Sequence, residues 1–448
     1  MDFFDILKGG TVLGRAKCKA SSDPSCSNAT KLKKDGIRIL GVSSESLSKM
    51  ESFNAAGILP LWLSSGLSMA GFVTPTDIQK EACPALISGL DCIVSASTGS
   101  GKTIAFLVPI LTLLQKPGKE FARALIIAPT RELAHQITRE AENLISHCSK
   151  KFRVKLLDNL ADNVKRVDIA VATPLRLVQL LSDGSFSLRD TRIAVLDEAD
   201  RLLDLGFSQQ IDEILSICMK ERDIAKRSFQ MCFFSATLPP KIVELAKSAM
   251  IEPLTISIGP VGAACKNITQ KLVFAGSEEG KMISFKQLVI NGEIRPPALI
   301  FVNSKEKAQQ LCAELVMRGV LADSIHAGRT KNDRDRCVQA FREGKIWVLV
   351  ATDLLARGID FKAVDMVINF DIPTTIVNYI HRIGRTGRAG RSGEAITLFT
   401  TDDAPHVKTI SNVIRNSGQD VPQWMSSIPR RPTLKRHRVQ AVIKKVSG

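Results

Sequence analysis

Residues 91–114 read DCIVSASTGSGKTIAFLVPILTLL, and the order of elements within them decides the fold. Asp91–Ser95 is a short apolar run that predicts a strand, Ala96–Thr103 (ASTGSGKT) a glycine-bearing turn, and Lys102–Leu114 a helix. Glycines let backbone N–H groups turn inward onto phosphate oxygens, and the helix N-terminus adds a favourable dipole. Ser97, Thr98, Gly99, Ser100 and Gly101 form the turn itself. Lys102 has the reach for β- and γ-phosphates, and the Thr103 hydroxyl can bind magnesium. The strict form of this loop has glycine where Ala96 stands, a departure that the strand–turn–helix context offsets. A Gly-rich turn that binds nothing is the plain alternative.

Outward from this unit the same alternation continues. Strands are expected at Asp91–Ser95, Ala124–Ala128, Asp168–Ala172, Ile193–Leu196 and Met231–Phe234, with helical patterns between them. Apolar runs with little alternation indicate a parallel sheet covered on both faces. A second set follows at Ala298–Val302, Ser324–His326, Trp347–Ala351, Met366–Asn369 and Ala395–Phe399. The expected architecture is α/β: two parallel-sheet domains in tandem, spanning 51–256 and 267–417, joined by a Gly- and Ala-rich linker at 257–266. Residues 1–50, rich in Ser, Lys and Gly, read as a mobile arm. The tail from 418 to 448 holds a basic run, Arg430–Lys445.

Composition narrows the partners. A chain of 448 residues exceeds one core and fits two domains plus extensions. Its formal net charge of +16 favours polyphosphate partners, because basic side chains release condensed counterions. Aromatics make up only 5%, with Tyr379 the single tyrosine, so base stacking is not expected to dominate nucleic-acid binding. Ten cysteines include no Cys-x-x-Cys pair, which leaves neither a zinc pattern nor a disulfide framework and fits a reducing compartment. The longest apolar run, Ile104–Leu114, is too short to span a bilayer and contains Pro109. The opening MDFFDILKGG lacks a secretory pattern, and no membrane role is expected.

Two polar runs complete the chemistry. Asp197-Glu198-Ala199-Asp200 follows the strand Ile193–Leu196. Carboxylates at a strand end beside a phosphate loop suit a magnesium site and a base that orients water. Asp197 would hold the metal, partly through water, and Glu198 would polarise the attacking water; an acidic helix cap is the bland alternative. Far downstream, His381–Arg388 (HRIGRTGR) places Arg382, Arg385 and Arg388 around glycines. A phosphate cradle with a remote arginine cluster implies that two domains close on one nucleotide.

With these residues in view, the chain resembles the DEAD-box RNA helicases from about Leu59 to Ile414, and the resemblance implies two RecA-like domains and an RNA-dependent ATPase. Gly71, Phe72, Thr74, Pro75 and Gln79 match the family's Q-motif. That match implies Phe72 stacked on adenine and Gln79 hydrogen-bonded to its edge, hence ATP over GTP. Pro129, Thr130 and Arg131 (in PTRELA), with Thr173 and Arg176 (in TPLR), resemble RNA-backbone contacts of the first domain. Ser235-Ala236-Thr237 resembles the motif that couples hydrolysis to RNA. In ATDLLARGID (Ala351–Asp360) the resemblance implies Thr352, Arg357 and Gly358 on the RNA side and Asp353 nearer the ribose. Arg385 and Arg388 match arginine fingers and His381 a domain-interface position.

The chain departs from the family in two places. No glycine occurs in Lys151–Asp168, where most members carry a Gly-Gly pair, and Lys331 replaces a usual glutamine. HAGRT (His326–Thr330), GSEEGK (Gly276–Lys281), Phe341–Lys362 and the opening residues are similar to the branch that assists small-subunit pre-ribosomal RNA processing. That resemblance implies pre-ribosomal RNA, ribosome-assembly factors or a protein activator as partners, and a nuclear, nucleolar location, with the cytoplasm as the alternative; no motif requires more than a monomer. Arg430-Arg431, Lys435–Arg438 and Lys444-Lys445 fit a nuclear signal, an RNA tether or a solubilising end equally well. Trp62, Trp347 and Trp424 read as core or interface anchors. An ATP-gated RNA clamp shares all these motifs; a DNA translocase is disfavoured by the Q-motif.

Overall fold

The structure, a computed structural model, describes residues 31–32, 37–40, 49–54, 58–118, 121–158, 166–225, 229–258, 267–353, 364–387 and 391–421. Two sheets organise them. The first contains β1 (Lys31–Leu32), β2 (Ile37–Leu40), β3 (Cys92–Ser95), β4 (Ala124–Ile127), β5 (Val154–Leu156), β6 (Ile169–Ala172), β7 (Ile193–Leu196), β8 (Gln230–Ser235) and β9 (Leu254–Ile258). Their spatial order is β1-β2-β9-β3-β8-β7-β4-β6-β5. The second contains β10 (Ile268–Gly276), β11 (Ala298–Val302), β12 (Ala322–Ile325), β13 (Val348–Thr352), β14 (Met366–Asn369) and β15 (Gly393–Thr400), ordered β10-β15-β14-β11-β13-β12. All pairings are parallel except those of β1 and β2.

Residue type explains this plan. The strands CIVS, ALII, IAVA and IAVL are buried at every position, as a sheet covered on both faces requires. Alternate residues feed two cores. Val94, Ile126, Val171, Val195 and Phe234 pack with the helices Asp77–Ile87, Lys102–Leu114 and Arg131–Ser146. Ile93, Leu125, Ala170, Ala194 and Phe233 pack with the helices Pro174–Ser182, Ser208–Ala225 and Pro240–Ala249. Phe106 meets Phe234 edge-on at 5.2 Å between ring centroids. Each such ring contributes about 1.5–3 kcal/mol by leaving water. The second sheet is sandwiched in the same way, with Phe301 and Leu349 on one face and Ile300 and Val350 on the other.

The expected extensions are shorter than their sequence suggested. Within the expected mobile arm 1–50, β2 pairs antiparallel with β9, in register Ile37↔Ile258 to Leu40↔Thr255. Ile37 and Ile39 bury themselves in the first core, which gives the arm's end a hydrophobic reason to order. Ser257 and Ile258, expected in the linker, belong to β9, and the rest of that linker lies outside the described residues. At the far end, Gln419 donates from Nε2 to the Ile268 carbonyl at 2.6 Å and accepts from Gln270 N–H at 2.8 Å. Gly418–Val421 is thus tied to β10, whereas the basic run of the tail lies outside the described residues. No helix among the described residues is long and apolar enough to cross a membrane.

Candidate active site between the sheets

Strand order separates two edges of the first sheet. The C-terminal ends of β3, β8 and β7 are neighbours and carry Ala96–Thr103, Ser235–Thr237 and Asp197–Asp200. Those of β4, β6 and β5 carry Pro129–Arg131, Thr173–Arg176 and Asp158. Residues expected to touch nucleotide and residues expected to touch RNA therefore sit on adjacent halves of one edge.

The cradle has the predicted build. Gly99 and Gly101 take left-handed backbone, φ +76° and +93°, and the helix Lys102–Leu114 begins at once. A Cβ on Gly101 would lie 2.5 Å from Gln79 Nε2, so only glycine closes the turn there. Ala96 has no such backbone; its methyl is buried in the first core, which explains why the missing glycine is tolerated. Lys102 Nζ lies inside the turn, donating to the carbonyls of Ala96 at 2.6 Å and Ser97 at 3.2 Å.

Gln79 does more than the Q-motif resemblance implied. Its Oε1 accepts from Thr76 N–H at 2.9 Å, a capping-box bond at the start of the helix Asp77–Ile87. Its Nε2 donates to the Gly101 carbonyl at 3.0 Å, and Thr76 Oγ1 donates to the Ser100 carbonyl at 2.9 Å. Gln79 thereby braces the cradle. Thr76 was not singled out from sequence, although its Thr-x-x-Gln spacing carries the capping signal. Phe72 is partly buried against the first core.

The acidic group behind the cradle is almost wholly buried. Asp197 is pushed up to about 7 by burial and by the Glu198 charge, against the pull of Lys102. An anion so disfavoured calls for a cation. Glu198 stands in left-handed backbone, φ +47°, an arrangement that costs a non-glycine residue about 1–2 kcal/mol and is kept where geometry matters. Burial alone would raise its pKa, but His381, Arg201 and Arg385 outweigh that and hold it below its ordinary value. Arg201, fully buried, donates to Glu198 Oε2 at 3.3 Å. Asp200 Oδ2 accepts from Thr237 N–H at 2.9 Å and Thr237 Oγ1 at 2.7 Å, and Asp200 N–H donates to Ser235 Oγ at 3.2 Å. Ser235-Ala236-Thr237 and the acidic run are therefore one bonded unit.

The second sheet's residues meet this unit directly. His381 Nε2 is 3.5 Å from Asp200 Oδ2 and its Nδ1 3.9 Å from Glu198 Oε1. Thr98 Oγ1 donates to the Gly384 carbonyl at 3.2 Å. Arg385 is buried, its Nε held by the His381 carbonyl at 3.1 Å. Arg382, given no finger role by the resemblance, is engaged elsewhere. It faces the interior of its own domain, gripping both oxygens of Asp353 at 2.5 and 2.7 Å and donating to Asn303 Oδ1 at 2.9 Å. Asp353, expected nearer the ribose, is thus half of an internal ion pair at the end of β13. Arg388, Arg357 and Gly358 lie outside the described residues.

On the adjacent half-edge, Thr130 and Thr173 cap the helices that start at Arg131 and Pro174. Arg176 is buried, donates from Nη1 to Gln179 Oε1 at 2.8 Å, and leaves Nε and Nη2 without hydrogen-bond acceptors. Glu132 reaches across to Arg334 at 3.4 Å, a link between domains not foreseen from sequence. Pro129 is buried and Thr352 half-buried at the end of β13. Trp62 packs on Phe152 as an anchor, whereas Trp347 is half exposed and Trp424 lies outside the described residues.

Two α/β domains that place a phosphate cradle and buried carboxylates of one against histidine and arginine of the other define a two-domain nucleotide-driven motor. Comparison with known proteins gives the same class. The DEAD/DEAH box helicase family model matches residues 76–245, and the helicase conserved C-terminal domain model matches 280–390. The chain is 41% identical over 384 residues to the ATP-dependent RNA helicase ROK1 of Yarrowia lipolytica, covering 82% of this chain and 69% of that protein. It is 44% identical over 374 residues to the probable ATP-dependent RNA helicase ddx52 of Dictyostelium discoideum, covering 82% of this chain but only 55% of that protein. The chain thus spans about half the length of the Dictyostelium relative. Among solved structures it is similar to S. cerevisiae Dbp5 bound to RNA and ADP BeF3, with TM-score 0.71 and 29% identity, covering 83% of this chain and 95% of that one. The chain belongs to the DEAD-box ATP-dependent RNA helicases.

Proposed function

We propose that this chain hydrolyses ATP when RNA holds its two domains together, and spends that cycle separating or reshaping short stretches of RNA structure. The observation that carries the reading is the meeting of Glu198, Asp200 and Thr98 of the first domain with His381, Arg385 and Gly384 of the second. Lys102 and the cradle N–H groups would bind the phosphates, with Phe72 and Gln79 at the adenine. Thr103 and Asp197 fit a magnesium ion, whose small number of protein ligands and retained waters suit a site with one raised carboxylate. When bound, that ion neutralises phosphate charge. Glu198, held ionised, would orient the attacking water and accept its proton. Arg385, and by the family resemblance Arg388, would stabilise charge spreading over the transferred phosphoryl group.

Closure would be favoured by RNA lying over both domains, from Pro129–Arg131, Thr173 and Arg176 to Thr352, Arg357 and Gly358. Ser235 and Thr237, hydrogen-bonded to Asp200, would pass closure on to the acidic unit, with His381 at the interface. We place the activity in small-subunit pre-ribosomal RNA processing, in the nucleus, on the branch resemblance of GSEEGK, HAGRT and Phe341–Lys362, and as a monomer because no motif calls for a second copy. Pre-ribosomal RNA and an activating protein would be its partners.

The test is ATP turnover with and without single-stranded RNA, with DNA in parallel and Glu198→Gln as control. RNA should stimulate turnover and DNA should not, and the variant should lose at least about a hundredfold, the scale of a lost general base. RNA held tightly in an ATP-dependent way with no stimulated turnover would instead identify a clamp.

A further inference from the structure

One acidic side chain sits among the first domain's RNA-facing residues with no place in the scheme above. Asp158 follows β5, the outermost strand on that side, in the stretch where the family's Gly-Gly pair is missing. Its Oδ1 lies 3.3 Å from Arg131 Nε, and its Oδ2 3.6 Å from His135 Nε2. Arg131 and His135 are one turn apart on the helix Arg131–Ser146, so both face the same neighbour. Arg131 has 68% of its side chain exposed, whereas Asp158 keeps only 19%. The carboxylate is thus the fixed partner and the arginine the one free to swing.

We infer that Asp158 is an intramolecular competitor for Arg131: it occupies in advance a guanidinium that RNA phosphate must take, and so loosens the grip of the first domain on RNA. The inference rests on the proposed RNA contact at Arg131. A guanidinium binds carboxylate and phosphate with the same N–H groups, so the two acceptors compete for the Nε edge of Arg131. RNA arriving at this site would still release a condensed counterion but must break the Arg131–Asp158 pair, which salt itself weakens, and this flattens the salt dependence of binding. A partly exposed pair of this kind has modest strength, enough to tune RNA release without blocking RNA entry.

The experiment measures single-stranded RNA affinity of the full chain, with ATP analogue present, across salt concentrations, for wild type, Asp158→Asn, Asp158→Glu, Arg131→Gln and the double variant Asp158→Asn/Arg131→Gln. Asp158→Asn should bind about two- to tenfold more tightly at low salt. Its log–log salt slope should steepen, by at most about 0.7, the value of one counterion-releasing contact on single strands. Asp158→Glu should stay near wild type, and the gain from Asp158→Asn should disappear when Arg131 is glutamine. Weaker binding by Asp158→Asn at an unchanged melting temperature would overturn the inference, since the carboxylate would then orient Arg131 for RNA. An equal gain in the Arg131→Gln background would overturn it too, leaving simple repulsion. Wild type that binds no RNA would remove the proposed function itself, and that result is separable because Asp158→Asn would bind none either.

Discussion

Gly384 shows how one missing side chain can decide whether two domains meet. A Cβ built there would fall 1.9 Å from Thr98 Oγ1, the cradle hydroxyl that donates to the Gly384 carbonyl, and 3.0 Å from the Ile380 carbonyl. Gly384→Ala should leave ATP binding within about twofold but lower RNA-stimulated kcat at least about tenfold, the equivalent of ~1.4 kcal/mol of closure lost. Thr98→Gly combined with it should restore part of the loss, and steady-state kinetics on both variants checks this. Lys281 makes a comparable point inside the second domain. It is 2% exposed and holds Asp371 Oδ1 at 3.1 Å, and that carboxylate also accepts from Asn303 N–H at 2.9 Å. Asn303 in turn accepts from Arg382, which grips Asp353. Lys281→Met should destabilise the domain by about 1–3 kcal/mol in urea unfolding, because it removes one of the two ammonium groups on Asp371 Oδ1 and leaves only Lys307, at 3.0 Å.

At the scale of elements, Asp168 anchors the N-terminal ends of three strands. It accepts from Arg123 Nη2 at 3.1 Å, Arg153 Nε at 3.0 Å and Arg153 N–H at 2.9 Å, joining β4, β5 and β6. Burial alone would raise its pKa, but the Arg153 and Gly118 hydrogen bonds together with the Arg153 charge hold it below the ordinary carboxylate value. A depressed folded pKa means stability present above the unfolded value of about 4 and lost as pH falls through the folded one. Wild type should therefore lose more unfolding free energy than Asp168→Asn as pH drops below about 4, measured by denaturant titration at each pH. The first-sheet strands legible in sequence share one trait: CIVS, ALII, IAVA and IAVL are uninterrupted apolar runs buried on both faces. β10 (ITQKLVFAG) and β5 (VKL) carry lysine at sheet edges, where only one side needs covering, so they gave no such run. β2 was hidden for another reason: its partner β9 lies more than two hundred residues away.

For the whole molecule, the motifs named candidate site residues but not how they are shared out between the domains. Of the three arginines of HRIGRTGR, the family resemblance marked Arg385 and Arg388 as fingers and left Arg382 without a role. Arg385 bears on Glu198, while Arg382 is spent on Asp353 and Asn303, partners 29 and 79 residues away that no local pattern could name. Contacts across the domains, Thr98 with Gly384, Glu132 with Arg334, and His381 with Glu198 and Asp200, depend on how two separately folded sheets face each other. That arrangement underlies the proposal that the site is finished only by an arginine delivered from the second domain. The most direct measurement is RNA-stimulated ATP hydrolysis by Arg385→Ala beside its ATP affinity. Turnover should fall by about a thousandfold or more, the scale of a lost arginine finger, while affinity changes only a few-fold. Equal losses of turnover and affinity, or turnover close to wild type, would contradict it.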